Sequence, residues 1–433
     1  MPRPGEHILI IAHTFPPYRG IGGRRWAKFA KAFARQGHPV HVIHSKGPRE
    51  LLGSLWTEDL RHPDIHPVDL PQRYPTVLFK RPLTHASERL AYHFWTRVLP
   101  LFAAGNYFDK AVFWRRQLLR TAGDLITRYD IRQVIVTGAP FRLMVHALEL
   151  KASCGVALTC DFRDPWTWLA TAYGQSLLSE ERMAHERLLE RRVVEGADRI
   201  VSPHPSVIDH LRKAYPEQAA KVERLPHAID PDELGDPMPP RNDGEFRLIY
   251  AGSLYGAEEA EAYLEKVVLA FEALRMHDPE RFAHVTFDLY ITGHGVEAYR
   301  EMVRGPGLED RIRFHAPRPA KEIFRLIAAS DAVLIFIPSF NKDLLGTKFT
   351  EVFHLRRPVI HVGEPGAVSR FIRDNRLGTS IPVDALATEL PPIMRGERDL
   401  DIDPTHDLSA HLLDHIARRF LDGLDTPPAT NGA

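Results

Sequence analysis

The stretch Asp343-Leu-Leu-Gly-Thr-Lys348-Phe-Thr-Glu351-Val-Phe-His-Leu-Arg-Arg-Pro358-Val-Ile-His-Val-Gly363 decides how this chain is read. It follows the apolar run Val333-Leu-Ile-Phe-Ile337, a buried strand, and leads into a second strand, Pro358–Val362, that stops at Gly363. Between them Lys348 and Glu351 stand three apart at a helix start, so they share one face. An ammonium there suits a diphosphate and a carboxylate suits ribose hydroxyls. Ligands of open α/β sheets gather beyond the carboxyl ends of strands, where this segment falls. The competing reading of the same pair is a solvated surface ion pair.

Outward from that segment, strand-like runs alternate with helical patterns along the whole chain, which argues for βαβ units and parallel sheets. In the first half the strands are Ile8–Ala12, Val40–His44, Gln133–Thr137, Ala157–Asp161, Arg199–Ser202 and Val222–Leu225. In the second they are Phe246–Ala251, Thr286–Thr292, Ile312–His315, Ala332–Ile337 and Pro358–Val362. Asp230–Gly244, dense in Pro, Asp and Gly and free of periodicity, reads as a linker. The expected organisation is a Rossmann-like domain over 1–229 with an insertion at about 74–120, a linker over 230–244, a second Rossmann-like domain over 245–404, an amphipathic helix within 405–424 and a disordered tail over 425–433.

A chain of 433 residues, 44% hydrophobic and 26% charged, suits two globular domains. Lys+Arg and Asp+Glu are equal at 56 each, so the overall balance gives no support to a nucleic-acid partner. The two cysteines, Cys154 and Cys160, read as reduced core thiols of a cytoplasmic protein. The N-terminus runs straight into its first strand, leaving no room for a signal peptide, and no stretch has the length and apolarity of a membrane span.

The first strand is followed by Ala12-His13-Thr14-Phe15-Pro16-Pro17-Tyr18-Arg19-Gly20-Ile21-Gly22-Gly23-Arg24-Arg25-Trp26, after which Trp26, Phe29, Ala30 and Phe33 give the stripe of a core-facing helix. Gly22 and Gly23 at the helix start allow close backbone approach, and free N–H groups there attract phosphate. Thr137-Gly138-Ala139-Pro140-Phe141 and Asp161-Phe-Arg163-Asp164-Pro165-Trp166 each end a strand of the same sheet. Arg163 between two carboxylates either orders its loop as an ion-pair network or, with Asp161 and Asp164, orients an acceptor hydroxyl. Gly252 and Ser253 follow the first strand of the second half, and Thr292-Gly293-His294-Gly295 makes another glycine turn, for nucleotide contact or for chain reversal.

In this order the motifs resemble the retaining, GT-B-fold glycosyltransferases, family four in particular. That family's signature is a Glu, seven intervening residues and a second Glu; the corresponding positions here are Asp343 and Glu351. The Pro-Pro…Gly-Gly loop is similar to the family's loop facing the donor diphosphate, and Asp161–Trp166 to a segment of a bacterial subset. The resemblance implies an α/β fold of GT-B architecture, with two Rossmann-like domains facing each other across a cleft and a C-terminal helix crossing back to the first. It implies transfer of a sugar, with retention, from a nucleotide-sugar donor to a glycan or lipid-linked acceptor, in polysaccharide or glycoconjugate biosynthesis. Donor-binding residues are then Gly22, Gly23, Arg24, Gly252, Ser253, Gly293, Asp343, Lys348 and Glu351, with His13, Asp161, Arg163 and Asp164 on the catalytic side; His13 reads either as a general base or, as loop histidines more often are, as a hydrogen-bonding spacer. The two cations that the family carries after the position of Gly252 are missing, leaving Lys348 with Arg24 or Arg25 to meet the diphosphate.

No Asp-x-Asp stands on a loop in the manner of metal-dependent transferases, and His294, His315 and His354 are scattered singly, so neither metal nor cofactor is expected. Two other functions fit the same features: a nucleotide-sugar epimerase of this fold, and a degenerate sugar-binding scaffold. The segment Tyr74–Arg120 mixes aromatics with cations, among them Lys80, Tyr92, Phe94, Trp95, Arg97 and Phe102. It reads either as a peripheral surface for anionic lipid or as a helical insertion packed inward.

Overall fold

The structure, a computed structural model, describes residues 5–18, 21–47, 52–54, 56–80, 82–168, 177–234, 243–254, 257–292, 296–346, 352, 354–403, 405 and 407–424. The chain divides into two compact units: the first runs to Pro226 and resumes at Leu413, and the second spans His227–Leu412.

In the first unit, β1 (Ile8–Ile11), β2 (Val40–Ser45), β3 (Ile65–Leu70), β4 (Gln133–Gly138), β5 (Ala157–Phe162), β6 (Arg199–Ser202) and β7 (Val222–Arg224) form a parallel sheet in the order β3-β2-β1-β4-β5-β6-β7. Ile8 lies between Val40 and Gln133 in register, and every residue of β1 is fully buried, as expected of a parallel strand covered on both faces. Strand order reverses between β1 and β4, so the chain segments leaving these two strands diverge and open a crevice at their carboxyl ends.

Sequence reading missed β3. Only its end residues Ile65 and Leu70 are buried, with His66, Pro67 and Asp69 exposed between them, and Pro67 lacks a donor, which confines such a segment to a sheet edge.

Helix α1 (Ile21–Arg35) follows β1 and is buried continuously from Gly23 to Ala34. It is covered in part by the terminal helix Leu413–Asp422, whose Phe420 stacks on Phe33 at 5.8 Å and meets Phe29 and Trp26 at 6.4 and 6.2 Å. Arg199 lies over the Phe420 ring at 4.8 Å and donates to its carbonyl at 3.0 Å. The chain thus returns to the first unit as expected, although the helix begins only at Leu413; Leu408 and Leu412 remain with the second unit.

The second unit holds β8 (Phe246–Gly252), β9 (Val285–Ile291), β10 (Ile312–Phe314), β11 (Ala332–Phe336), β12 (Val359–Val362) and β13 (Gly378–Ile381), parallel in the order β10-β9-β8-β11-β12-β13. Alternation along β8 and β11 sends Leu248, Tyr250, Leu334 and Phe336 into one hydrophobic layer and Ile249, Val333 and Ile335 into the other. Reversal of order falls between β8 and β11, the strands preceding Ser253 and the Asp343 segment. The edge strand β13, Gly-Thr-Ser-Ile, is too polar to stand out in sequence.

The expected linker starts inside this unit. Ile229 bridges Leu412 and donates to the His411 carbonyl at 2.8 Å, and Pro231–Leu234 makes one helical turn; residues 235–242 lie outside those described.

Phe420→Ala is expected to destabilise the first unit by about 3–5 kcal/mol, the cost of removing a buried aromatic. A lowered urea midpoint, read by fluorescence of the buried Trp26, checks this.

Candidate functional site

At the carboxyl edge of the first sheet, Asp161 ends fully buried on β5, and its Oδ2 accepts from Trp26 Nε1 at 2.6 Å and from Thr137 Oγ1 at 2.9 Å. The Arg25 guanidinium lies 3.4 Å from the same oxygen and donates onward to the carbonyls of Leu225 at 2.6 Å and Pro226 at 3.0 Å. Burial lowers the Arg25 pKa, and the Asp161 charge opposes that shift. Asp161 therefore joins three strands' ends to α1 rather than facing a substrate hydroxyl, which revises its expected role. A lone carboxylate in this interior would be costly; the bonded pair is tolerated.

Arg163, two residues on, donates to the Gly22 carbonyl at 2.8 Å and the Ala139 carbonyl at 3.3 Å and pairs with Asp164 at 2.9 Å. It clips the start of α1 to the turns after β4 and β5. A side chain at Gly22 would overlap the Arg163 guanidinium, and one at Gly23 would approach Phe15 Cα and the Thr14 carbonyl to 2.8 Å. Both glycines are thus required by packing, whatever ligand meets them. Arg24, expected among the donor contacts, is buried, with its guanidinium 5.2 Å from the Trp56 ring.

His13 is buried against Trp114, 5.0 Å between ring centroids. Its Nε2 lies 3.1 Å from Gln72 Oε1, which also accepts from Ser45 Oγ at 2.8 Å. A carbonyl oxygen only accepts, so Nε2 carries the proton and Nδ1 the lone pair. Burial, reinforced by the Lys110 charge, pushes the pKa down to about 3. An imidazole so weakly basic is a poor general base near neutrality, where proton transfer wants a pKa close to the working pH. His13 is a fixed, neutral hydrogen-bonding group.

Beneath the Asp161–Trp166 loop lies a network that sequence reading missed. Glu186 accepts from Trp166 Nε1 at 2.8 Å, the Asn106 amide at 2.8 Å and Arg142 at 2.7 Å. Glu190 accepts from the Thr167 amide at 3.1 Å and Tyr215 at 3.0 Å, and burial raises its pKa. Burial pushes the Asp109 carboxyl up to about 6. A signal existed: Met183, Glu186, Glu190 and Val193 follow helical spacing within Glu180–Gly196, so both carboxylates share the core-facing side.

In the second unit Tyr250 holds the turn after β8 through the Ser253 carbonyl at 2.8 Å, and Ser253 Oγ meets Thr292 Oγ1 at 2.8 Å. Gly252 sits at φ +134, a backbone conformation side chains rarely adopt. The Glu259 carboxylate receives the Ser339 amide at 2.8 Å and hydroxyl at 2.7 Å, fixing the loop after β11. Asp343, expected to bind donor, accepts from the Ala367 amide at 2.9 Å and so caps the helix Ala367–Asp374. Lys342 pairs with Glu364 at 2.7 Å. Gly293, Lys348 and Glu351 lie outside the described residues.

Asp161→Ala, which strands Arg25 in the interior, is expected to destabilise the first unit by about 3–5 kcal/mol; chemical denaturation checks it. For His13, the unfolded ring binds a proton below its ordinary 6.5 while the folded ring stays neutral down to about 3, so acidification through that window weakens the fold. Nitrogen NMR of His13 should show the Nε2–H tautomer with no titration between neutrality and pH about 4.

The family model described as Glycosyltransferase Family 4 matches residues 22–233, the segment containing Gly22, Asp161 and Arg163. The D-inositol 3-phosphate glycosyltransferase of Arthrobacter sp. (strain FB24) is 24% identical over 196 residues, 44% of this chain and 45% of that protein. This chain spans about half the length of the curated relatives it matches. Among solved structures, a glycosyltransferase from Rickettsia africae ESF-5 superposes with TM-score 0.63 at 13% identity, covering 99% of this chain and 100% of that one. Anabaena Alr3699/HepE, solved with UDP and glucose, gives 0.60 at 14% identity over 97% and 99%. At such identities these two establish the fold alone. Residues 22–233 are thus similar to family-4 glycosyltransferases, and the fold of the chain is that of solved GT-B glycosyltransferases.

Proposed function

We propose that the protein is a retaining glycosyltransferase that moves a sugar from a nucleotide-sugar donor to an acceptor hydroxyl of a glycan or lipid-linked intermediate. The observation that carries this reading is the Gly22–Gly23 turn, held at the crevice of the first sheet by Arg163, within the segment that matches family 4. A uridine nucleotide is the first donor class to test, because a protein of the same fold is solved with UDP and glucose. The peptide N–H groups of the first turn of α1 would meet the diphosphate, where charge develops as the sugar departs. Lys348 would add its cation and Glu351 would hold the ribose. The reading requires neither metal nor enzymic nucleophile: the leaving phosphate assists attack from its own face. His13, fixed and neutral, would accept a hydrogen bond through Nδ1 rather than remove a proton.

A thermal-shift screen with UDP-, GDP- and dTDP-sugars tests the proposal, since a ligand of the folded state raises its melting temperature. A shift with one sugar nucleotide, followed by sugar transfer to an acceptor, supports it. No shift with any of them overturns it, and release of a new hexosamine from donor alone replaces transfer with epimerisation. Glu351→Gln is expected to weaken donor affinity by about 1–3 kcal/mol, measured by titration calorimetry. Lys348→Ala should depress turnover more than donor binding, because its charge matters most in the transition state.

A further inference from the structure

Within the segment Tyr74–Arg120, one helix has a packed side and an exposed side. On the inner side of α2 (Ala86–Phe102), Leu99 packs with Tyr74 and Leu78, joined by Tyr92 and Trp95. Arg182 fastens the helix end by donating to the carbonyls of Pro100, Ala103 and Gly105 at 2.7, 2.7 and 2.9 Å. The helix is therefore anchored, and its outer face is preformed.

That outer face is apolar where a solvated helix would be polar. Leu90 is 73% exposed, Phe94 55%, Leu101 79% and Phe102 71%. These four are among ten large hydrophobic side chains exposed among the described residues, so the concentration on one helix is not the ordinary scatter of surface apolar groups. Leu90, Phe94, Arg97 and Leu101 fall at i, i+4, i+7 and i+11, one stripe along the helix. Arg89 and Arg97 are exposed beside the apolar residues and make no ion pair with any described residue. The sole carboxylate of the helix, Glu88, is turned away to Lys80 and to the amides of Thr84 and His85.

We infer that this face of α2 docks on an anionic bilayer surface, with Leu90, Phe94 and Leu101 entering the headgroup–acyl boundary and Arg89 and Arg97 meeting lipid phosphates. Charge decides the occupant: the face offers cations and apolar groups with no outward carboxylate, the complement of acidic headgroups over acyl chains. Long cationic side chains beside an apolar stripe keep their charge at headgroup level while their stems lie along the apolar surface. Among the described residues no helix is long and apolar enough to span a membrane, so contact through α2 would be peripheral. The inference stands apart from the sugar-transfer reading, and its test needs no nucleotide.

The full chain is mixed with vesicles of phosphatidylcholine alone or with an equal share of phosphatidylglycerol, and co-sedimentation is measured at low and high salt. Binding to the anionic vesicles only, weakened by salt, is expected. Phe94→Ser with Leu101→Ser should weaken it about tenfold, and Arg97→Ala about fivefold, with thermal melting unchanged because all three side chains are exposed. Absent binding, binding indifferent to lipid charge, or binding unaltered in the double variant overturns the proposal. So does self-association without lipid that the double variant abolishes, since the face would then be an interface between copies.

Discussion

The buried carboxylate of Asp161 is the contact on which the first unit's functional edge depends. One oxygen takes the Trp26 indole and the Thr137 hydroxyl and sits beside the Arg25 guanidinium, which in turn holds the carbonyls of Leu225 and Pro226. Strand β4, strand β5, helix α1 and the last residues before the chain leaves this unit therefore share one charge. A charge buried this deeply is stable only while its partners stay in place, so the network fixes geometry more than it adds net stability. Its consequence for function is positional: the N-terminus of α1 is set against the turns after β4 and β5, and Arg163 completes the arrangement.

Fold class was legible because parallel strands buried on both faces leave continuous apolar runs, as at Ile8–Ile11 and Ala332–Phe336. The edge strands β3 and β13 were not, since an edge tolerates Pro67 or the polar Thr379 and Ser380 and so loses the signature. The candidate site was legible by position and less so by role. Asp161, Arg163 and Gly22 do meet at one sheet edge, yet sequence spacing does not reveal that Asp161 is consumed by internal donors, or that Arg24 lies buried near Trp56. The cysteines divided likewise: Cys160 is a core thiol on β5, whereas Cys154 ends its helix only partly buried.

In the second unit acidic groups order the loops around the β8–β11 reversal. Glu259 holds Ser339 and Asp343 caps the helix Ala367–Asp374. A carboxylate at a helix N-terminus satisfies orphan amides and complements the helix dipole. Aspartate suits this task because its short side chain reaches a neighbouring amide with little freedom to lose. That offers a physical reason for an aspartate at 343: the position holds the loop to the start of the helix Ala367–Asp374.

His13 shows how one environment excludes one chemistry while favouring another. Full burial and a nearby lysine charge hold the ring neutral, and Gln72 fixes which nitrogen keeps the proton. The lone pair on Nδ1 then has no described partner inside the fold. A buried acceptor left unpaired costs free energy, and a ligand hydroxyl reaching it would remove that cost. A ring prepared in this way presents one acceptor at one place. Basicity, which would make it a catalyst of proton transfer, has been given up through burial.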